Sequence, residues 1–159
     1  VVEIMQRMGA DIAQNADSVT VNSSTTKATV IDASNCPDII PVLTVLAAVS
    51  EGTTKIINAG RLRIKECDRL AAITSELNKM GAAITEEAEG LTISGKPEGL
   101  RGGVEADAWN DHRIAMSLAI AAQCCKEPII LTGAGSVSKS YPDFWEDYKS
   151  VGGKIEVLA

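Results

Sequence analysis

Aromatic residues are nearly absent from this chain: one Phe, two Tyr and two Trp in 159 residues. A core without ring anchors has to be assembled from Ala, Ile, Leu, Val and Met, and a hydrophobic content of 45% is enough for that. An excess of basic residues is also missing. The net charge of −6 excludes the broad positive field that non-specific binding to nucleic acid or anionic membranes requires. No apolar run reaches the ~20 residues of a membrane-spanning helix. Histidine occurs once, at position 112, and the four cysteines (Cys36, Cys67, Cys124, Cys125) form no C-x-x-C pair. A zinc cluster is therefore not expected, and the cysteines read as buried, reduced thiols of a cytoplasmic protein. The opening "VVEIMQRMG" has neither an initiator Met nor the pattern of a signal peptide; it reads as the middle of a domain, so the chain is expected to be part of a longer protein. "GAGSVSKS" is rich in Gly and Ser but lacks the G-x-x-x-x-G-K-[ST] spacing of a nucleotide-binding loop.

What the chain does contain is a repeat. "EIMQRMGADI" (3–12), "AITSELNKMGAAI" (72–84) and "DFWEDYKSVGGKI" (143–155) each read as an amphipathic helix that ends in glycine and enters a strand. Gly9, Gly81 and Gly153 are spaced evenly, since 81 − 9 = 72 and 153 − 81 = 72. "PDIIPVLTVLAAVSEGTTKIINAG" (37–60) parallels "NDHRIAMSLAIAAQCCKEPIILTGAG" (110–135), with Asp38 and Asp111 separated by 111 − 38 = 73. Patterning predicts helices over 2–8, 38–50, 65–80, 111–125 and 142–151, and strands at "SVTVNS", "ATVIDA", "TTKIIN", "GLTISG", "GGVEA", "PIILTG" and "KIEVL". The predicted fold class is α/β, built from two β-α-β-α-β-β units cut out of phase.

The charges fall in an unusual place. Asp38 is read as opening one helix; Lys65, Glu66 and Arg69 as the first turn of the next; Asp111, His112 and Arg113 as the start of the third; Lys139 as lying just before the fourth, with Pro142 in its first turn. A helix N-terminus carries partial positive charge and disfavours cations, at ~0.3–1 kcal/mol each. In a repeated unit, equivalent helix starts share a face, so four cations and several dipoles would converge on one region, as in a site for a multiply charged anion. Glu66 and Arg69 also continue the apolar stripe Leu70–Ile73–Leu77–Met80 backwards, which places a carboxylate among the cations as a candidate acid/base group. Taken singly, each residue has an ordinary structural role: Asp38 and Asp111 as helix caps, Glu66 and Arg69 as a surface pair, His112 as a hydrogen-bonded structural residue, Lys139 as an exposed lysine. Their recurrence at repeat-equivalent positions favours a site.

"CPDIIP" (36–41), "RIKECDRL" (63–70), "NDHRIAM" (110–116) and "SKSYPDFW" (138–145), in that order and spacing, resemble the 5-enolpyruvylshikimate-3-phosphate (EPSP) synthase family. The resemblance covers essentially the whole chain. It implies a domain of the inverted α/β prism type, of which residues 1–159 would be about two of three repeat units of the C-terminal domain, with the N-terminal partner domain absent. It implies transfer of the enolpyruvyl group of phosphoenolpyruvate to the 5-hydroxyl of shikimate 3-phosphate, with release of phosphate and without metal or organic cofactor. Asp38 would hold the shikimate hydroxyls and take the 5-hydroxyl proton. Lys65 would lie beside both substrates, and Glu66 would exchange a proton at the methylene. Arg69 and Arg113 would grip phosphoenolpyruvate, flanked by Asp111 and His112, with Lys139 closing that site. Arg61 stands where many relatives carry a polar residue near the shikimate site. Two alternatives accompany this assignment: a UDP-N-acetylglucosamine enolpyruvyl transferase, and a non-catalytic anion-binding domain. Carboxylates at Asp38 and Glu66 argue against the second, because a binder of anions gains nothing from them.

Overall fold

A computed structural model describes residues 1–158. The first helix, α1 (Val2–Arg7), leads into a hairpin of β1 (Asp11–Gln14) and β2 (Val19–Asn22). A complete unit follows: β3 (Val30–Asp32), α2 (Ile40–Ala48), β4 (Thr53–Ile57), α3 (Arg69–Lys79), β5 (Ala83–Glu87) and β6 (Gly90–Ser94). Its strands form one sheet in the order β3-β4-β6-β5, with β3 parallel to β4 and the other pairings antiparallel. The next unit begins with β7 (Leu100–Gly102) and β8 (Glu105–Asp107), continues through α4 (His112–Ala122), β9 (Cys125–Glu127) and β10 (Ile130–Thr132), and reaches α5 (Phe144–Ser150). Here β8 pairs with β10 and β7 with β9, both parallel. The β-α-β crossover of β3-α2-β4 thus recurs in β8-α4-β10, which is the repeat seen in the sequence.

Helices α2, α3 and α4 pack on one another against the four-stranded sheet. The α2 sequence IPVLTVLAA is apolar on every side, as a helix buried between neighbours must be. The stripe Leu70, Ile73, Leu77 and Met80 of α3 is fully buried. Four of the five aromatic residues, Tyr141, Phe144, Trp145 and Tyr148, gather on and just before α5, edge-to-face except for the tilted Phe144–Tyr148 pair, and Phe144 and Tyr148 close a second, smaller cluster against α4. The fifth, Trp109, lies in the loop before α4.

Several boundaries differ from the sequence reading, each for a local reason. α2 starts at Ile40 rather than Asp38, because Pro41 lacks an N–H and must lie in the first turn; residues Pro37–Ile39 form a separate 3-10 turn. α3 starts at Arg69 rather than Lys65, because the Asp68 carboxylate caps it by accepting from the Ala71 N–H at 3.1 Å. Lys65 and Glu66 therefore sit in the extended approach to the helix. α5 begins at Phe144, so Pro142 stays outside it, and Lys139 ends the 3-10 segment Ala134–Lys139. "KIEVL" forms no strand, and β9 was not anticipated. The four cysteines are free, as expected, but only half-buried.

The helix-ending glycines also shift by one. Gly9 (φ 89°) and Gly81 (φ 99°) are joined by Gly152 (φ 101°), not Gly153. In all three the next residue closes a six-to-one turn: Ala10 N–H to Met5 O at 3.0 Å, Ala82 N–H to Leu77 O at 3.0 Å and Gly153 N–H to Tyr148 O at 2.8 Å. The motif is shared, and only the position of the glycine within a Gly-Gly pair was misjudged. Gly81→Ala is expected to lower stability by about 1–2 kcal/mol through its left-handed backbone. Gly135→Ala, in open space on the surface, should stay within about 0.5 kcal/mol. Urea unfolding of the two variants followed by circular dichroism checks the contrast.

Candidate functional site

The site is organised around a buried cation. Arg69, the first residue of α3, is only 1% exposed. Its Nε donates to Asp111 Oδ2 at 2.8 Å, Nη2 reaches Asp111 Oδ1 at 3.3 Å and Glu66 Oε2 at 2.7 Å, and Nη1 donates to Asp38 Oδ1 at 2.9 Å. One guanidinium thereby ties together the turn before α2, the approach to α3 and the N-terminus of α4. Lys65 Nζ lies 3.4 Å from the same Asp38 oxygen. The three carboxylates differ in setting: Asp111 is fully buried, whereas Asp38 and Glu66 are 51% and 41% exposed.

Asp111 does two jobs. Its side chain caps α4 by accepting from the Arg113 N–H at 2.7 Å while it neutralises Arg69. Burial pushes its carboxyl pKa up, but the hydrogen bonds from Arg69 and from the Arg113 N–H outweigh that, and the net shift is downward. Asp38 follows the same balance, with burial opposed by the hydrogen bond from Arg69 and the charge of Lys65, and it too ends below the ordinary aspartate value. Cys67 lies between these groups, its Sγ 3.6 Å from Asp111 Oδ2. Burial first, and the Asp111 charge second, push that thiol up to about 12, so it stays protonated and unreactive at neutral pH.

His112 is 8% exposed, and its Nδ1 has no hydrogen-bond partner among the described residues; Glu66 Oε1, at 3.7 Å, is the nearest carboxylate oxygen. The Arg113 Nε is likewise buried without a partner among the described residues. Lys139 is exposed and donates to Asn110, at 2.8 Å for Oδ1 and also to its carbonyl. Asp38, Lys65, Glu66, Arg69, Asp111 and His112 thus form one connected cluster. Arg113 enters it through its backbone, and Lys139 joins through Asn110, the neighbour of Asp111. Arg61 is exposed in the 3-10 turn Gly60–Ile64 and takes part in none of these contacts. Among the described residues, no group of three or more His, Cys, Asp or Glu side chains could hold a metal ion.

Two supporting residues escaped the sequence reading. Arg63 uses its whole fork on structure: Nη1 to Asp68 at 2.9 Å and to Glu86 at 2.6 Å, Nη2 to the Glu87 carbonyl at 2.7 Å, and Nε to the Ala88 carbonyl at 3.0 Å. It fixes the segment that carries Lys65 and Glu66. Glu76, 1% exposed on α3, accepts from the Asp107 N–H at 3.0 Å and from Trp109 Nε1 at 2.9 Å, and pairs with Lys79. Glu76 lies about two turns beyond Arg69 on the same face of α3, so the signal was there to be used.

A depressed carboxyl pKa contributes stability that is complete above the unfolded value, 3.8 for aspartate, and is lost as pH falls through the lower folded value. Asp111→Asn leaves the buried Arg69 short of a partner and should cost about 3 kcal/mol at pH 7. The gap to the unsubstituted chain should narrow as pH falls through 3.8, where the unfolded chain takes up the Asp111 proton first, and close below the lower value of the folded state. Urea unfolding at a series of pH values measures it; a gap that stays constant down to pH 3 would contradict this role.

Comparison with known proteins gives consistent results. Residues 1–148 match the family model described as EPSP synthase (3-phosphoshikimate 1-carboxyvinyltransferase). The 3-phosphoshikimate 1-carboxyvinyltransferase of Clostridium beijerinckii is 59% identical over 158 residues, 98% of this chain and 36% of that protein. The Clostridium novyi protein of the same name is 55% identical over 98% of this chain and 35% of its own length. Among solved structures, EPSP synthase from Acinetobacter baumannii superposes with a TM-score of 0.87 at 31% identity, covering 99% of this chain and 40% of that one. The enolpyruvyl transferase NikO from Streptomyces tendae gives 0.81 at 25% identity, over 97% and 35%. The chain thus spans little more than a third of the length of its relatives.

Proposed function

The chain belongs to the EPSP synthase family, and on that premise we propose that it is part of an enzyme of the shikimate pathway, which leads to chorismate and the aromatic amino acids. The reaction joins the enolpyruvyl group of phosphoenolpyruvate to the 5-hydroxyl of shikimate 3-phosphate. The observation that carries this proposal is the Arg69 cluster, in which cations and carboxylates alternate at the starts of neighbouring helices. A dianionic substrate needs arginine forks and lysine point charges. A reaction that protonates carbon and deprotonates a hydroxyl needs carboxylates in different surroundings.

Each residue then has a task. Arg113, whose Nε lacks a partner among the described residues, and Lys139 bind phosphoenolpyruvate. Arg69 keeps its Nε edge on buried Asp111, while its contacts to half-exposed Asp38 and Glu66 can yield to an incoming anion. Asp38, held ionised beside Lys65 and Arg69, accepts the hydrogen bond of the 5-hydroxyl and takes its proton as the oxygen attacks C2. Glu66 delivers a proton to the methylene carbon and later removes one as the C2–O bond to phosphate breaks; His112 stands beside it to exchange that proton. Lys65 balances the anionic intermediate between the two substrates, and Arg61, outside the cluster, is assigned to the shikimate side only by its position in the family pattern. No cofactor is needed for these steps. The rest of the site comes from the remainder of the protein, for which the exposed Val19 and Val21 on β2 offer an apolar edge. The free thiols fit a cytoplasmic enzyme. No helix among the described residues is long and apolar enough to cross a membrane.

The test uses a hybrid in which this chain replaces the matching segment of the Clostridium beijerinckii protein, followed by phosphate release. Arg113→Ala should raise KM for phosphoenolpyruvate ~10–150-fold, the value of one charge-assisted bidentate contact. KM for shikimate 3-phosphate should change little. The 159-residue chain by itself should match the blank, because closure of a two-sided cleft supplies the catalytic binding energy. An equal loss for both substrates would overturn the role of Arg113 in binding phosphoenolpyruvate, and turnover by the isolated chain that Glu66→Ala abolishes would overturn the need for the rest of the protein.

A further inference from the structure

The loop between β8 and α4 is held in an unfavourable conformation by carboxylates outside the cluster, Glu76 from α3 foremost. Trp109 and Asn110 both adopt φ of 52°, the left-handed region that residues with a Cβ disfavour, Asn less than Trp. Two such residues in succession, neither of them glycine, persist only where the surroundings over-determine them. Glu76 provides the restraint. From α3 its Oε2 accepts from the Asp107 N–H at the end of β8, and its Oε1 accepts from the Trp109 indole N–H. Asp107 in turn closes the turn through Oδ1 to the Trp109 N–H at 2.7 Å. The turn delivers Asn110, which receives Lys139, and then Asp111, His112 and Arg113. Burial raises the Glu76 carboxyl pKa, yet Lys79, Trp109 and the Asp107 N–H together bring it below the ordinary glutamate value, so the group is a fixed double acceptor.

We infer that Glu76 is a positioning residue for the anion-binding half of the site: by anchoring the Asp107 backbone and the Trp109 indole it sets the left-handed turn that aims Arg113 and Lys139. This rests on the function proposed above. Among the described residues Glu76 makes no hydrogen bond or ion pair with a candidate substrate-binding group, so it acts through the loop. The chemistry of the carboxylate makes this testable by chemical logic. A glutamine keeps the size but offers one acceptor oxygen, and its NH2 group then faces one of the two N–H donors. Removing the indole donor with phenylalanine relieves that clash.

In the hybrid transferase, Glu76→Gln should raise KM for phosphoenolpyruvate about tenfold, the effect of about one lost charge-assisted hydrogen bond. KM for shikimate 3-phosphate should stay within about twofold. Trp109→Phe alone should cost less than Glu76→Gln, and Glu76→Gln combined with Trp109→Phe should recover part of the loss despite carrying two changes. A structural role alone would affect both substrates alike and give no recovery. In parallel, the single imidazole of the 159-residue chain, His112, is observed by NMR in the unsubstituted chain and in Glu76→Gln. Its ring resonances should move although residue 76 does not contact it. Unmoved His112 resonances, or unchanged KM for phosphoenolpyruvate, would overturn the inference. An unsubstituted hybrid without turnover would instead overturn the proposed function, and the His112 measurement would still decide the role of Glu76.

Discussion

The structure depends on how one fully buried guanidinium is neutralised. Arg69 is shut away from solvent, so its charge must be matched by fixed carboxylates; one comes from three residues upstream and two from segments distant in sequence. Asp38 comes from the turn that Pro41 forces before α2, Glu66 from the approach to α3, and Asp111 from the cap of α4. The ion pairs therefore do more than offset charge: they set three helix starts against one another. Asp111 is the least replaceable of the three, because it is wholly buried and serves as cap and counter-ion at once. Asp38 and Glu66 face solvent, and this asymmetry leaves one edge of the cluster able to respond to a ligand while the other edge stays fixed.

Around that centre the cations are prepared in different ways. Lys65 is held by a carboxylate, Lys139 by the carbonyl and amide oxygen of Asn110, and Arg113 has a buried Nε with no partner among the described residues. A positive side chain at the positive end of a helix, with a buried donor unpaired among the described residues, is costly for the fold by itself. An anion bound there removes both costs. The paired left-handed residues Trp109 and Asn110 fit the same picture, since strain of that kind is retained where geometry at a site matters more than local stability. Glu76 and Arg63 are its counterparts in the supporting layer, where each uses its hydrogen bonds to hold a loop rather than a ligand.

Much of this was legible in the sequence because the repeat is strong. A 72-residue spacing of glycines, a buried stripe on α3 and an Asp cap on α4 announced the units, the packing face and one helix start. Boundaries were read less well where two signals competed. Asp38 has the chemistry of a cap, but Pro41 dictates where α2 can begin; Lys65 fits the helical period, but Asp68 caps the helix later. Short parallel strands such as β9, three residues with little periodicity, give no pattern to find. Within the site, charge type and spacing identified residues that gather, Arg61 excepted, but not which cation is consumed internally. Arg69 and Arg113 look equivalent as letters, yet Arg69 is saturated by carboxylates and Arg113 is not, a difference set by tertiary contacts that spacing does not encode.

The central claim is that the helix starts around Arg69 form an anion site that is assembled before any ligand arrives. Thermal unfolding of the 159-residue chain in phosphate and in chloride at equal ionic strength tests this most directly, since a ligand that binds the folded state raises Tm in a saturable way. The account requires a saturating rise in phosphate that disappears when Arg113 and Lys139 are both replaced by alanine. The rise should survive when Arg101 and Lys126, which line a separate basic cavity of about 420 Å³ with Lys96, are replaced instead. A rise that is unsaturable and equal in all three proteins, or one lost only with Arg101 and Lys126, would contradict it.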